Sequence, residues 1–179
     1  SHHHKTEISA VLPYKPNFKP DNLSHKTAVT IENIEACKRY SGISIRNITI
    51  ADSPKWLAEK LTSIGLKPIN NIVDITNFIL HETGQPLHAF DADKIKGNRI
   101  IVRSAAEGES FTTLDNKERK LWANDLLICD ESSAMCLAGV YGGVGSGVTG
   151  ETKNVFIESA WFNPSFIRKT SLKHSLRTD

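Results

Sequence analysis

Pro68–Asp91, P-I-N-N-I-V-D-I-T-N-F-I-L-H-E-T-G-Q-P-L-H-A-F-D, is the stretch from which the rest of the chain can be placed. Ile72, Ile75 and Ile79 recur at three- and four-residue steps, the spacing of one apolar face on a helix. Asn70 or Asn71 can cap its start, and Gly84 stands where a left-handed C-terminal residue is wanted. Asp74, Thr76, Asn77 and His81 lie off that stripe, and the polar-tipped loop Gly84-Gln85-Pro86-Leu87-His88 follows at once. A rigid helix that delivers a loop with a histidine is one way to build a site. It is equally a way to build a core.

Upstream, a second helix is predicted from Ser53 as cap, Pro54 at the first helical position, Leu57, Leu61 and Ile64 on one face, and Gly65 as stop. Ile43, Ile45, Ile48 and Ile50 are strand-like, but their parity changes, so a bulge or break is expected near Asn47. Residues 1–28 are polar and carry Pro13, Pro16 and Pro20, the composition of a linker or extended arm. His2–His4, a tag remnant or native sequence, are not read as a metal site.

Downstream of Arg99 the pattern turns to β. Ile100–Val102 is a short apolar run, and Phe111–Leu114 and Arg119–Trp122 flank a turn at Asp115-Asn116. Leu126–Cys129, Met135–Ala138 and Val155–Ser159 are further strands, after which Asn163-Pro164 opens a helix to about Lys173. Helices first and many short strands later predict an α+β fold, with helices packed on mixed or antiparallel sheets and a β-sandwich-like part.

A chain of 179 residues suits one domain, or two small ones sharing a core. Its 39% hydrophobic and 23% charged content is that of a soluble globular protein, and a net charge of +2 does not announce nucleic acid. Any RNA contact has to come from local patches. No apolar run reaches the roughly 18 residues of a membrane span, and no signal peptide is visible. Cys37, Cys129 and Cys136 are odd in number and form no C-x-x-C pair, which argues against a disulfide framework and a structural zinc and fits a reducing cytoplasm.

Several constellations have two readings. The glycine-rich run Ala138–Gly147 is a loop that brings backbone N–H groups to a ligand, or a tight β connection; without a G-K-[ST] ending it is not a phosphate loop. Glu158, in the apolar run Val155–Trp161, either faces solvent by alternation or points inward and needs a partner. His88 is a structural histidine or a catalytic one. Asp125 and Asp130 straddle a strand, which suggests a solvated edge. Phe166, Ile167, Arg168, Lys169, Lys173, His174 and Arg177 either meet RNA phosphates or form a solvated helix face. No nucleophile elbow or H-E-x-x-H motif is present.

The joint order of N-I-E-A-C-K-R-Y, S-P-K-W-L, P-I-N-N-I-V-D-I-T-N-F, G-Q-P-L-H-A-F-D, L-A-G-V-Y-G-G, I-E-S-A-W-F-N-P and L-R-T-D resembles the editing domain of the bacterial-type phenylalanyl-tRNA synthetase β subunit. The resemblance runs over residues 29–179 and implies hydrolysis of tRNA(Phe) mischarged with tyrosine. A pocket shaped for phenylalanine discriminates only about 10²-fold against one added hydroxyl, whereas a second site that hydrogen-bonds that hydroxyl reverses the preference.

By resemblance Glu158 reads the tyrosine hydroxyl. His88, Thr76 and Asn77 line the pocket around the aminoacyl ester and the terminal adenosine, as candidate catalytic residues. Ala138 and Gly139 form a small-residue wall, and Thr178 lies near the ring. The implied reaction is attack of an ordered water on the ester carbonyl, needing no metal or other cofactor; ATP and magnesium serve the parent enzyme elsewhere. The implied partners are the acceptor end of tRNA(Phe) and a catalytic α subunit in an α2β2 assembly, and the implied location is the cytoplasm. Tyr141 stands where the family often has methionine, and the family pattern continues past Asp179, so an excised piece of a longer subunit is expected. The competing reading is a non-catalytic module that positions tRNA or holds subunits together.

Overall fold

The computed structural model describes residues 19–21 and 26–176. Three helices are described: α1 (Lys55–Ser63), α2 (Asn71–Thr83) and α3 (Pro164–His174). The early strands are β1 (Ala28–Ile31), β2 (Cys37–Ile45), β3 (His88–Asp91) and β4 (Arg99–Ser104). The later ones are β5 (Ser110–Thr112), β6 (Glu118–Lys120), β7 (Leu126–Cys129), β8 (Ala134–Leu137), β9 (Tyr141–Gly142) and β10 (Val155–Phe162). The fold is α+β. None of the described helices is long and apolar enough to cross a membrane.

One sheet has the order β1-β4-β7-β8-β9, parallel only between β1 and β4. A second has β10 in the middle, antiparallel to β2 on one side and β3 on the other. The short pair β5-β6 stands apart. Ile100, Val102, Leu126, Ile128 and Cys136 of the first sheet share a core with Cys37, Phe90 and Phe156 of the second. The two sheets therefore face one another across one apolar layer, as in a sandwich. The opposite face of the first sheet buries Leu127, Cys129 and Leu137 against Phe111 and Leu121 of the hairpin and Ile167 and Leu176 of the α3 region. This explains why β7 is apolar without alternation: it is covered on both sides.

α2 begins and ends as its sequence predicts. The Asn70 side chain accepts from the Ile72 and Val73 amides at 3.1 and 3.0 Å, and Gly84 closes the helix at φ 74°. Its buried residues, however, are Asp74 and Thr76, while Ile75 of the expected core stripe is 45% exposed. Asp74 is buried because it is a tie: Oδ1 accepts from the Ile69 amide at 2.9 Å and Oδ2 from the Ser53 hydroxyl. That bond also overturns the expected role of Ser53, which caps nothing; α1 starts after Pro54 with no side-chain cap.

Other boundaries also move. His88 opens β3 rather than sitting in a loop. β2 starts at Cys37 and stops at Ile45, leaving Ile48 and Ile50 outside, with Asn47 at φ 56° where the break was expected. Asp125 and Asp130 are buried, not solvated. Asp125 accepts from Thr170 Oγ1, His174 Nε2 and the Trp122 amide, and Asp130 from the Lys96, Ser132 and Ser133 amides. Phe166 and Ile167 pack onto the two cores and the His174 side chain is enclosed, so the part of α3 left to solvent carries the basic residues Arg168, Lys169 and Lys173 together with an exposed Leu172. Asn163 caps that helix by accepting from the Ser165 amide at 3.0 Å.

Candidate functional site

β10 carries Glu158 into the space between the sheets. Its register places Gly42 of β2 on one side and His88 of β3 on the other, so all three share one face of the sheet. Gly42 has no side chain for a steric reason: a Cβ there would lie 2.1 Å from Cζ of Phe156. The Phe156 ring thus occupies the strip beside Glu158 that an ordinary residue would fill. Two pairs further along, and so on the same face, Tyr40 opposes Ala160 and reaches back diagonally, donating its phenol to Oε2 of Glu158 at 2.8 Å.

Glu158 is only 5% exposed, and Tyr40 is its hydrogen-bond partner among the described residues. Burial pushes its carboxyl up to about 7, against a smaller lowering by the Tyr40 hydrogen bond. Burial and the Glu158 charge raise the Tyr40 phenol, so it remains a donor. The neighbouring thiols respond to the same apolar setting: burial raises Cys37 to about 11 and Cys136 well above its ordinary value. A carboxylate held this way has acceptor capacity left for another hydroxyl.

His88 stacks edge-on against Phe90, with ring centroids 4.5 Å apart. Burial lowers its imidazole to about 4, so it is neutral at physiological pH and can both donate and accept. That value also makes it a poor general base at neutral pH. Ala138 is buried in the inter-sheet core, whereas Gly139 is exposed at φ 65°, a conformation that favours glycine. The flanking Ala138 and Val140 amides bond to Leu126 and Leu137 carbonyls at 2.9 and 3.0 Å, which leaves the Gly139 amide without a protein acceptor among the described residues. The glycine run itself is largely a tight β connection, with the Gly143 amide and the Ser146 hydroxyl both bonded to the Met135 carbonyl.

Glu158 and His88 are therefore brought together. Thr76 and Asn77 lie on α2, which runs through Gly84–Leu87 directly into β3 and packs on that strand. Thr76 spends its hydroxyl on the Val73 carbonyl at 2.7 Å. Thr178 lies outside the described residues. A separate recess of about 400 Å³ is lined by Glu32, Asn33, Ile34, Glu35 and Ser104; its acidic rim does not suit an RNA end, and none of the residues above lines it.

The B3/4 domain family matches residues 36–179. The chain belongs to that family. It is 54% identical over 173 residues to the phenylalanine-tRNA ligase beta subunit of Bacteroides fragilis, a match covering 97% of this chain and 21% of that protein. The corresponding subunit of Bacteroides thetaiotaomicron is 53% identical over 167 residues, covering 93% and 20%. This B3/4 domain thus spans about a fifth of the length of these relatives. Among solved structures, an N-terminal fragment of the phenylalanyl-tRNA synthetase beta subunit from Pyrococcus horikoshii superposes with a TM-score of 0.56. At 16% identity, over 88% of this chain and 52% of that one, the likeness is one of fold.

The residue that sequence reasoning passed over is Tyr40. It stood in the motif N-I-E-A-C-K-R-Y without a role, because only strand register shows that it reaches Glu158.

Proposed function

We propose that this B3/4 domain is the post-transfer editing module of a phenylalanine-tRNA ligase β subunit, hydrolysing the ester of tRNA(Phe) mischarged with tyrosine. The observation that carries the reading is Glu158, a buried carboxylate engaged by a phenol and opposite a neutral histidine. A second phenol, that of the misacylated tyrosine, would find an acceptor there. A phenylalanine ring would desolvate the carboxylate and return no hydrogen bond, which costs about 1–3 kcal/mol or more for a charged group.

In this reading an ordered water attacks the ester carbonyl, the carbon–oxygen bond to the ribose breaks, and tyrosine leaves as the free acid. His88, too weak a base to drive the step, orients the water or the ribose hydroxyl as a neutral hydrogen-bonding group. By the resemblance Gly139 belongs to the wall whose backbone approaches the ligand, and its amide, without a protein acceptor among the described residues, can donate to the developing oxyanion. By the same resemblance, Thr76 and Asn77 line the pocket around the ester and the terminal adenosine with His88, and Ala138 and Gly139 form its small-residue wall. The hydrolysis requires water alone; ATP and magnesium act in the parent synthetase elsewhere. The tRNA(Phe) acceptor end and the α subunit of an α2β2 enzyme, in the cytoplasm, are the proposed partners and setting.

The test compares release of tyrosine from Tyr-tRNA(Phe) with release of phenylalanine from Phe-tRNA(Phe), using this chain, the complete synthetase and Glu158→Ala in each. Preferential loss of tyrosine that the substitution abolishes is the expected outcome. Normal clearance of Tyr-tRNA(Phe) by the substituted complete synthetase would overturn the site assignment, and would leave a tRNA-positioning module as the better account.

A further inference from the structure

We propose that Tyr40 is a specificity-determining positioning residue, whose phenol fixes the Glu158 carboxylate so that it can accept a second phenol from the ligand. This rests on the reading of Glu158 as the group that accepts the ligand hydroxyl. The geometry has three parts. The 2.8 Å bond from Tyr40 to Oε2 ties one carboxylate oxygen to β2. Gly42, directly opposite Glu158, supplies no side chain that could do so instead, and the Phe156 ring fills its place. A glutamate with three rotatable bonds is thereby held in one orientation, with the entropy of ordering it met before any ligand arrives.

The bond also has a chemical consequence. A phenol donor favours the ionised carboxylate, and an ionised carboxylate only accepts, so the site prefers a ligand that brings a hydroxyl proton. The other titratable groups facing Glu158 do not compete in this range. Tyr40 and Cys37 on β2 and Cys136 on β8 are raised and stay protonated, and His88 on β3 stays neutral above about 5. Among the described neighbours, Glu158 is the group that changes charge near pH 7.

The experiment uses the complete synthetase carrying Tyr40→Phe, Glu158→Gln or both, with tyrosine and phenylalanine release followed from about pH 6 to about pH 9. Tyr40→Phe is expected to lower the tyrosine-over-phenylalanine preference about 10-fold, the loss of one hydrogen bond to a charged group. It is also expected to move the pH midpoint of that preference upward. The double variant should match Glu158→Gln alone, because both changes act through one bond. Unchanged preference and midpoint, equal loss for both esters, or additive effects in the double variant would each overturn the proposal. If Glu158→Gln itself leaves the preference intact, the underlying reading fails and the proposal with it, an outcome distinct from a neutral Tyr40→Phe beside an inactive Glu158→Gln. Thermal melts report folding. Should Tyr40→Phe not fold, difluorotyrosine at position 40 keeps the ring and strengthens the donor, and must then move the midpoint downward.

Discussion

Asp125 and Glu158 are both buried carboxylates, and they are treated in opposite ways. Asp125, 2% exposed, accepts from the Thr170 hydroxyl and the His174 ring at 2.7 Å and from the Trp122 amide at 2.9 Å, which fastens α3 to the first sheet. Glu158, 5% exposed, receives one phenol from the described residues and ties no loop or helix. A buried acid surrounded by donors is a structural rivet. One supplied with fewer donors than it can accept costs the fold stability and keeps acceptor capacity, which the proposed function assigns to a ligand hydroxyl.

That contrast can be broken most forcefully at Asp125. Asp125→Ala strands three donors and should cost about 4 kcal/mol, read from urea unfolding with the slope unchanged. Glu158→Gln should do the reverse at pH 8: stability stays level or rises, because a charge is no longer buried. The tyrosine-over-phenylalanine preference should fall by about 100-fold, near 3 kcal/mol. A large loss of stability in Glu158→Gln would make it a second rivet and end the comparison.

The pH dependence sharpens it further. Glu158, raised from 4.5 to about 7, contributes stability that is present below pH 4.5 and lost as pH rises through 7. His88, lowered from 6.5 to about 4, contributes stability that is present above pH 6.5 and lost as pH falls through 4. The two slopes oppose one another across the shared window. Glu158→Gln should therefore expose a rise in stability with pH between about 4 and 6.5, of at most about 1.4 kcal/mol per pH unit. His88→Asn should expose the falling limb instead. The smallest effect is expected away from both acids: Asn70→Ala removes the α2 cap and should cost about 1 kcal/mol, without changing ester preference.

Much of this was visible in the residues. The cap Asn70, the stop Gly84, the Asn163-Pro164 start and the β7 run were legible because each depends on local geometry. The inward turn of Asp74 and Thr76 was not, since apolar spacing says nothing of a tie to Ser53 that is 21 residues away. Glu158 inside an apolar strand fitted either face until register fixed it. Its bond to Tyr40 spans 118 residues of sequence, beyond the reach of any periodicity.

Glu158 lies in the middle of β10, in the part of the strand, Val155 to Glu158, that is laddered on both edges. Amides in such a position open only with the sheet itself, so those around Glu158 should be among the slowest to exchange with deuterated solvent. Ligand occupancy should then leave their protection almost unchanged, with any slowing confined to the exposed turn at Gly139. On the proposed function, recognition would work by a surface set in advance, whose selectivity does not depend on a closing motion.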